Sequence, residues 1–309
     1  MKNLKIYTYL FVFLSIFLLL GCENVSKAKK FYIKIDTTDQ LHDLLKNEKY
    51  PLISSHRGGS ALGYPENAIA TFERAQTFGP SIIEADVAMT KDSILILMHD
   101  DYLDRTTTGK GLVSSHTYSE LQSLKLLDYK KNKTAYTIPT LEEALLWGKG
   151  KVLFTLDVKR GVPYEKVIES IYKTQSQAYV ILITYNANQA RAIHKLDKNL
   201  WLSVSANSKE DILRLEDYQV DVNKVVAFVG TVEPSSTTIR YLQSRQIPII
   251  LGTLGNLDHR AKTVGDRIYE DFFKKGITIL SADRNKEAAA VAQRFASQHA
   301  ISSQYIFKK

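Results

Sequence analysis

From residue 50 onward the hydrophobic positions fall into short β-branched runs that alternate with stretches of helical period. The runs are Leu52 to Ser55, Ile82 to Asp86, Val152 to Val158, Tyr179 to Thr184, Leu200 to Ser205, Val225 to Val229, Ile247 to Leu251 and Ile277 to Ser281. The helical stretches between and after them are Glu66 to Phe78, Thr140 to Trp147, Tyr164 to Thr174, Asn188 to Leu196, Lys209 to Tyr218, Ser236 to Ser244, Asp266 to Lys275 and Lys286 to Gln298. Apolar runs of strand length, separated by amphipathic helices, predict a parallel sheet with crossover helices.

Eight such units in about 255 residues fit a TIM (β/α)8 barrel better than a doubly wound sheet, which usually has five or six strands. The second connection is too long for a plain crossover: about fifty residues separate the second strand from the next helix, at about 87–138. It holds an extra apolar run, Ser93 to Met98, and the segment Arg105-Thr-Thr-Thr-Gly-Lys-Gly111. Its glycines lack phosphate-loop spacing, so Gly109-Lys110-Gly111 reads as a turn. The expectation is a small insertion on the barrel, which occupies 49–309.

The N-terminus differs from everything after it. Lys2 and Lys5 precede an apolar run from Ile6 to Leu20, followed by Gly21 and Cys22. At ~1.5 Å per residue the run is short against a hydrocarbon core of about 30 Å, so it reads as a leader, 1–21, and not as a permanent span. Leu19-Leu20-Gly21-Cys22 resembles the lipobox of bacterial lipoproteins, which would make Cys22 the lipidated residue of an envelope protein outside the cytoplasm, in the periplasm or on the outer surface. Residues 22–48 read as a tether and N-terminal segment, with 23–35 solvated. Cys22 is the only cysteine, so no intramolecular disulfide contributes. Lys and Arg number 41 against 33 Asp and Glu, a net charge of +8, but the cations are scattered. That balance suits anionic small molecules and gives no argument for nucleic acid.

Chemistry in such a barrel sits at the carboxyl ends of the strands. The first strand ends in His56-Arg57-Gly58-Gly59, the second carries Glu84 and Asp86, the extra run ends in His99-Asp100, and the third strand ends in Asp157 and Lys159. Glu84 and Asp86, two apart in a strand, share one face, and two buried anions need a cation. A divalent ion with Asp157 as a third oxygen ligand gives a hard-metal site of the Ca²⁺ or Mg²⁺ type. Salt bridges to Arg57 and Lys159 would satisfy the same charges. His56 and His99 are candidates for a general acid and base pair, and Arg57 and Lys159 for clamps on an anionic group. Tyr185, Asn186, Asn207 and Phe228 are candidates for lining the pocket.

These residues make the chain recognisable. Over roughly 52–295 it resembles the glycerophosphodiester phosphodiesterase family, through His56-Arg57-Gly58, Pro65-Glu66-Asn67, Glu84-Ala-Asp86, His99-Asp100, Arg105-Thr106-Thr107, Ile138-Pro139-Thr140-Leu141-Glu142-Glu143-Ala144, Asp157-Val-Lys159 and Ala282-Asp283-Arg284. The resemblance implies a TIM barrel, a divalent metal and hydrolysis of a glycerophosphodiester. It further implies His56 and His99 as acid and base, Glu84 and Asp86 as metal ligands, and Arg57 and Lys159 as phosphate contacts. The implied chemistry is similar to that of phosphatidylinositol-specific phospholipases, through a cyclic phosphate. Two positions depart from the family: Asp157 stands where glutamate is usual, and Gly252-Thr253 where a Trp-Thr pair is usual, which leaves backbone as a pocket wall. A lyase acting on lysophospholipids or sphingolipids, or a binding lipoprotein without turnover, are the competing readings.

Overall fold

The computed structural model describes residues 29–309. Its strands are β1 (Phe31–Ile33), β2 (Leu52–Ser55), β3 (Ser81–Met89), β4 (Leu95–Leu97), β5 (Leu153–Val158), β6 (Val180–Thr184), β7 (Trp201–Ser205), β8 (Val225–Phe228), β9 (Ile249–Gly252), β10 (Ile279–Ala282) and β11 (Ile306–Lys308). Eight of them, in the order β2-β10-β9-β8-β7-β6-β5-β3, run parallel, and pairing of β2 with β3 closes the barrel. Each carries β-branched or leucine side chains on both faces because helices cover the outside and the barrel core fills the inside. Phe154, Ile181, Val226 and Leu280 are among the residues fully withdrawn from solvent.

Strand positions follow the expected runs within one or two residues, except that β3 runs three residues past Asp86 to Met89, and the helices show where local chemistry intervenes. Leu141–Gly148 starts at a capping box, with Thr140 accepting from the Glu143 amide while the Glu143 carboxylate accepts from Thr140. The helix expected from Glu66 begins only at Ile69. Its first residues are spent on a turn in which Asn67 adopts a left-handed φ of 56°. Helix Asn256–Val264 was not expected; it buries only Leu257, Asp258 and Ala261, too few apolar positions to give a period.

The insertion has its own small core, in which Ile96, Met98, Leu103, Val113, Leu121, Leu126 and Ile138 pack together. It grows directly out of the barrel: β3 continues past its barrel partners and pairs antiparallel with β4, Val87 opposite Leu97.

The solvated tether expected over 23–35 is corrected in its described part. Phe31–Ile33 pairs with β11, and Ile33 and Ile35 are buried. Three residues are too few to show alternation, so this strand was not legible. Phe31 N–H donates to Gln76 O and Ile33 N–H to Lys151 O, just before β3 and β5, so the two-stranded sheet lies under the amino-terminal end of the barrel. Among the described residues no helix is long and apolar enough to cross a membrane. The leader 1–21 and Cys22 lie outside the described residues.

Candidate active site

At the carboxyl ends of the strands opens a cavity of about 210 Å³, lined by His56, Glu84, Asp86, His99 and Asp157. Parallel pairing builds the acidic group: Asp86 is in register with Asp157, and Glu84 lies two residues earlier on the same face of β3. One oxygen from each of the three lies within 4.8 Å of the others. All three side chains are buried.

Both readings of the acidic group have a physical counterpart here. Lys159 Nζ lies 2.6 Å from Asp86 Oδ1 and 2.6 Å from Asp157 Oδ2. Asp86 also accepts from Asn67 Nδ2 at 2.7 Å, while its own amide donates to Asn67 Oδ1 at 3.0 Å. Burial lowers the pKa of Lys159, but Asp86 and Asp157 outweigh it and hold the ammonium above its ordinary value. Among the described residues Glu84 receives only the Arg57 backbone N–H, at 2.7 Å. Burial first, and then the charge of Asp86, push its pKa up to about 8. An all-oxygen donor set with one carboxylate short of positive charge fits a hard divalent cation. Thr155 Oγ1, in register with Glu84 on the cavity wall, is buried with no hydrogen-bond partner among the described residues, which marks the same spot as built for a further polar occupant.

Arg57 sits in a tight turn, His56–Gly58, that only unusual backbone allows. Arg57 itself has φ 52° and Gly58 φ 84°, and a Cβ on Gly58 would lie 2.4 Å from Phe72 Cδ1. The turn aims the Arg57 amide at Glu84 and its guanidinium at Glu66, with Nη1 to Oε1 at 3.2 Å. Both expected phosphate clamps, Arg57 and Lys159, therefore rest on carboxylates at the rim of the cavity.

The two histidines face the cavity with one ring nitrogen already occupied. His56 Nδ1 is 2.8 Å from Asp283 Oδ1, and His99 Nδ1 is 2.7 Å from Asp100 Oδ1. With each Nδ1–H donated to a carboxylate, Nε2 is left to exchange a proton with a ligand. Burial disfavours the His56 imidazolium, yet the Asp283 hydrogen bond and the charge of Glu84 outweigh it and raise its pKa above the usual histidine value. The same bond holds Asp283 below the usual carboxylate range. Asp100 is in turn gripped by Arg105 at 2.6 and 2.9 Å, and Arg105 donates two bonds to Glu66. A continuous chain of polar contacts thus joins Arg57, Glu66, Arg105, Asp100 and His99.

Asp283, Asp100, Glu66, Arg105 and Asn67 had no assigned role in the sequence reading, although each lies in a recognised motif. Asp258 was missed altogether. It is buried, accepts from Tyr269 Oη at 2.8 Å, and receives the amides of Asp283 at 2.8 Å and Arg284 at 3.1 Å, so it fixes the loop that presents Asp283.

Of the four expected lining residues, Tyr185 and Phe228 border the cavity and two are corrected. Asn186 caps the helix Ala187–Leu196 by accepting from Gln189, and Asn207 packs its Oδ1 toward Gly230. The wall at Gly252 is also not bare backbone. A Cβ there would come within 3.1 Å of Phe228 Cζ and 3.0 Å of Thr231 Cγ2, so Phe228 from the neighbouring strand covers the position. Thr253 is buried and donates through both N–H and Oγ1 to Ser281 O, which makes it a structural residue.

Comparison with known proteins agrees with this geometry. The glycerophosphoryl diester phosphodiesterase family matches residues 56–244. A glycerophosphodiester phosphodiesterase from Caldanaerobacter subterraneus is 35% identical over 156 residues, 48% of this chain and 64% of that one. Another from Bacillus subtilis is 35% identical over 170 residues, 48% of this chain and 57% of the other. The matched stretch thus spans less than two thirds of either relative. A crystal structure of a glycerophosphoryl diester phosphodiesterase from Parabacteroides distasonis superposes with a TM-score of 0.80 at 30% identity, covering 91% of this chain and all of the other. An Oleispira antarctica phosphodiesterase, solved with sn-glycerol 3-phosphate, shares the fold at a TM-score of 0.63 and 21% identity, over 79% of this chain and 97% of the other. With the closed barrel, the acidic group and the two carboxylate-held histidines in place, the chain belongs to the glycerophosphoryl diester phosphodiesterase family.

Proposed function

We propose that this chain hydrolyses glycerophosphodiesters to sn-glycerol 3-phosphate and an alcohol, with a divalent cation, Ca²⁺ or Mg²⁺, held by Glu84, Asp86 and Asp157. The observation that carries the reading is the convergence of two histidines, each with Nδ1 bonded to a carboxylate, on one cavity with those three acids. When bound, the cation supplies charge neutralisation for the phosphoryl oxygens. Arg57 and Lys159, beside those carboxylates, would be released by a bound cation to contact the phosphate. One histidine accepts the proton of the glycerol 2-hydroxyl through Nε2, the oxygen attacks phosphorus, and the other gives its proton to the departing alkoxide. The five-membered cyclic phosphate then opens by the reverse transfers: the second histidine takes a proton from water and the first returns one to the 2-oxygen. Asp283 and Asp100 hold the rings in the required tautomer throughout. We further propose that Cys22 carries a lipid that tethers the protein outside the cytoplasm, where it meets small glycerophosphodiesters.

The test is incubation of the full chain with a panel of glycerophosphodiesters after chelation, with Ca²⁺, Mg²⁺ or Mn²⁺ restored. Metal-restored release of glycerol 3-phosphate supports the proposal. Accumulation of cyclic phosphate alone would make the protein a lyase, and no product from a folded, metal-binding protein would make it a binding lipoprotein. Mass measurement of the exported chain checks the lipid on Cys22.

A further inference from the structure

The two ends of the barrel differ in charge pattern. The mouth mixes both signs: Glu66, Glu84, Asp86, Asp100, Asp157 and Asp283 meet Arg57, Arg105, Lys159 and Arg284, while Arg160 and the insertion's Lys110, Lys130, Lys131 and Lys133 are exposed beside exposed Asp101 and Asp104. The opposite end is more uniformly basic. The turns entering the barrel strands carry Lys49, Lys149, Lys151, Lys198 and Lys224, none with a carboxylate within salt-bridge distance among the described residues, against Asp197, Asp217 and Asp221, with Glu73 beside Lys30. Of the two further cations there, Arg245 is neutralised by Glu216 and Lys275 by Glu233. Strand β11 and the residue after it add exposed Lys308 and Lys309 beside Phe307, which is 43% exposed. The entering segment 29–48 is balanced, with four lysines and four carboxylates.

The polypeptide also enters at this end. Lys30 exchanges backbone hydrogen bonds with Lys309, and β1 lies against the segments that precede β3 and β5. The 28 residues before the described structure include the apolar run Ile6 to Leu20 and Cys22. Eight residues from Cys22 to Lys30 reach at most roughly 29 Å when fully extended. Any membrane attachment in that stretch therefore holds the basic end, and not the mouth, close to the surface.

The geometry points to the amino-terminal end of the barrel as a docking face for an anionic lipid surface. A negatively charged leaflet attracts the unpaired lysines, and attachment of the chain at the same end sets the orientation. With that face on the membrane the catalytic cavity opens toward water. Resting on the activity proposed above, the substrates are then water-soluble, deacylated glycerophosphodiesters and not lipids of the bilayer to which the protein is held.

Hydrogen exchange of the full chain on vesicles tests this, with phosphatidylcholine alone compared with phosphatidylcholine containing phosphatidylglycerol. Slower exchange at 149–151, 197–199 and 222–224 on the anionic vesicles only, with the insertion unchanged and the difference lost in high salt, is expected. The triple variant Lys149→Glu/Lys198→Glu/Lys224→Glu should lose that protection while keeping solution turnover, since each lysine lost weakens attraction to the surface roughly fivefold. Equal exchange on both vesicles, protection at the mouth, or association with neither surface overturns the docking face. These readouts need no turnover, so they stand or fall apart from the proposed activity. In a second arm, docked protein should cleave an added soluble diester at its solution rate and leave lysophospholipid in the same vesicle uncut. Equal cleavage of that lysophospholipid would overturn the outward-facing mouth.

Discussion

Replacing Asp283 by Asn keeps the shape of the His56 partner and removes its charge. The bond it perturbs is 2.8 Å long, between a His56 side chain 26% exposed and an Asp283 side chain 53% exposed. A hydrogen bond to a charged group contributes about 1.5 to 3 kcal/mol, and the solvent around Asp283 places this one at the lower end. About 1.5 kcal/mol is roughly a tenfold loss in kcat/KM. The pH profile carries the sharper signature. Asp283 raises the His56 pKa against the effect of burial, so the Asn variant lowers it. If His56 works as the base in the first step, the acidic limb of kcat/KM moves to lower pH; if it works as the acid, the alkaline limb does. The direction is the same in both cases, and the limb that moves assigns the role. Stability gives an independent check. A raised histidine pKa stabilises the fold below about 6.5 and is lost as pH rises through the folded value, whereas a depressed carboxyl stabilises it above about 3.8. Asp283→Asn should therefore lower the melting temperature most between those limits and less well above the His56 pKa, where only the Arg57 charge and the Gly255 N–H still favour the carboxylate. A tenfold loss with both limbs fixed would reduce Asp283 to a purely structural residue, and full activity with unmoved limbs would refute the assignment of His56.

Glu84 has its pKa pushed up to about 8 from 4.5, so the chelated protein should lose stability to urea as pH rises through that window. Added divalent ion should restore it, and Glu84→Gln should abolish both the slope and the restoration. Asp258→Ala strips the buried Tyr269 hydroxyl and the Asp283 and Arg284 amides of their acceptor, and should cost about 2 to 4 kcal/mol in urea unfolding together with roughly tenfold in kcat/KM. Gly58→Ala forces a Cβ into Phe72 at a left-handed φ of 84°, and should cost about 2 to 4 kcal/mol by thermal melting. A melt within about 0.5 kcal/mol of the parent protein would show that the turn is looser than its geometry implies.

The parts of this site that were legible from the chain are those that depend on order along a strand. Period-two placement put Glu84 and Asp86 on one face, and strand ends marked His56, Asp157 and Lys159, because a parallel barrel turns position in a βα unit into position at the mouth. Composition hid the rest for identifiable reasons. The helix carrying Asp258 has too few apolar residues for a period, and β1 is too short to alternate. Charge type alone could not separate a metal site from salt bridges, since Lys159 and a divalent ion answer the same carboxylates. The Asp283 partnership is a different case, because it spans 227 residues and yet follows from topology. The barrel sets its last strand, β10, beside its first, β2, in parallel, with Ala282 opposite Ser55. The next residue on each strand is then Asp283 and His56, side by side. Given eight strands and in-register pairing, the carboxylate that orients the histidine is deducible, and it is the pairing of the first barrel strand with the last that supplies it.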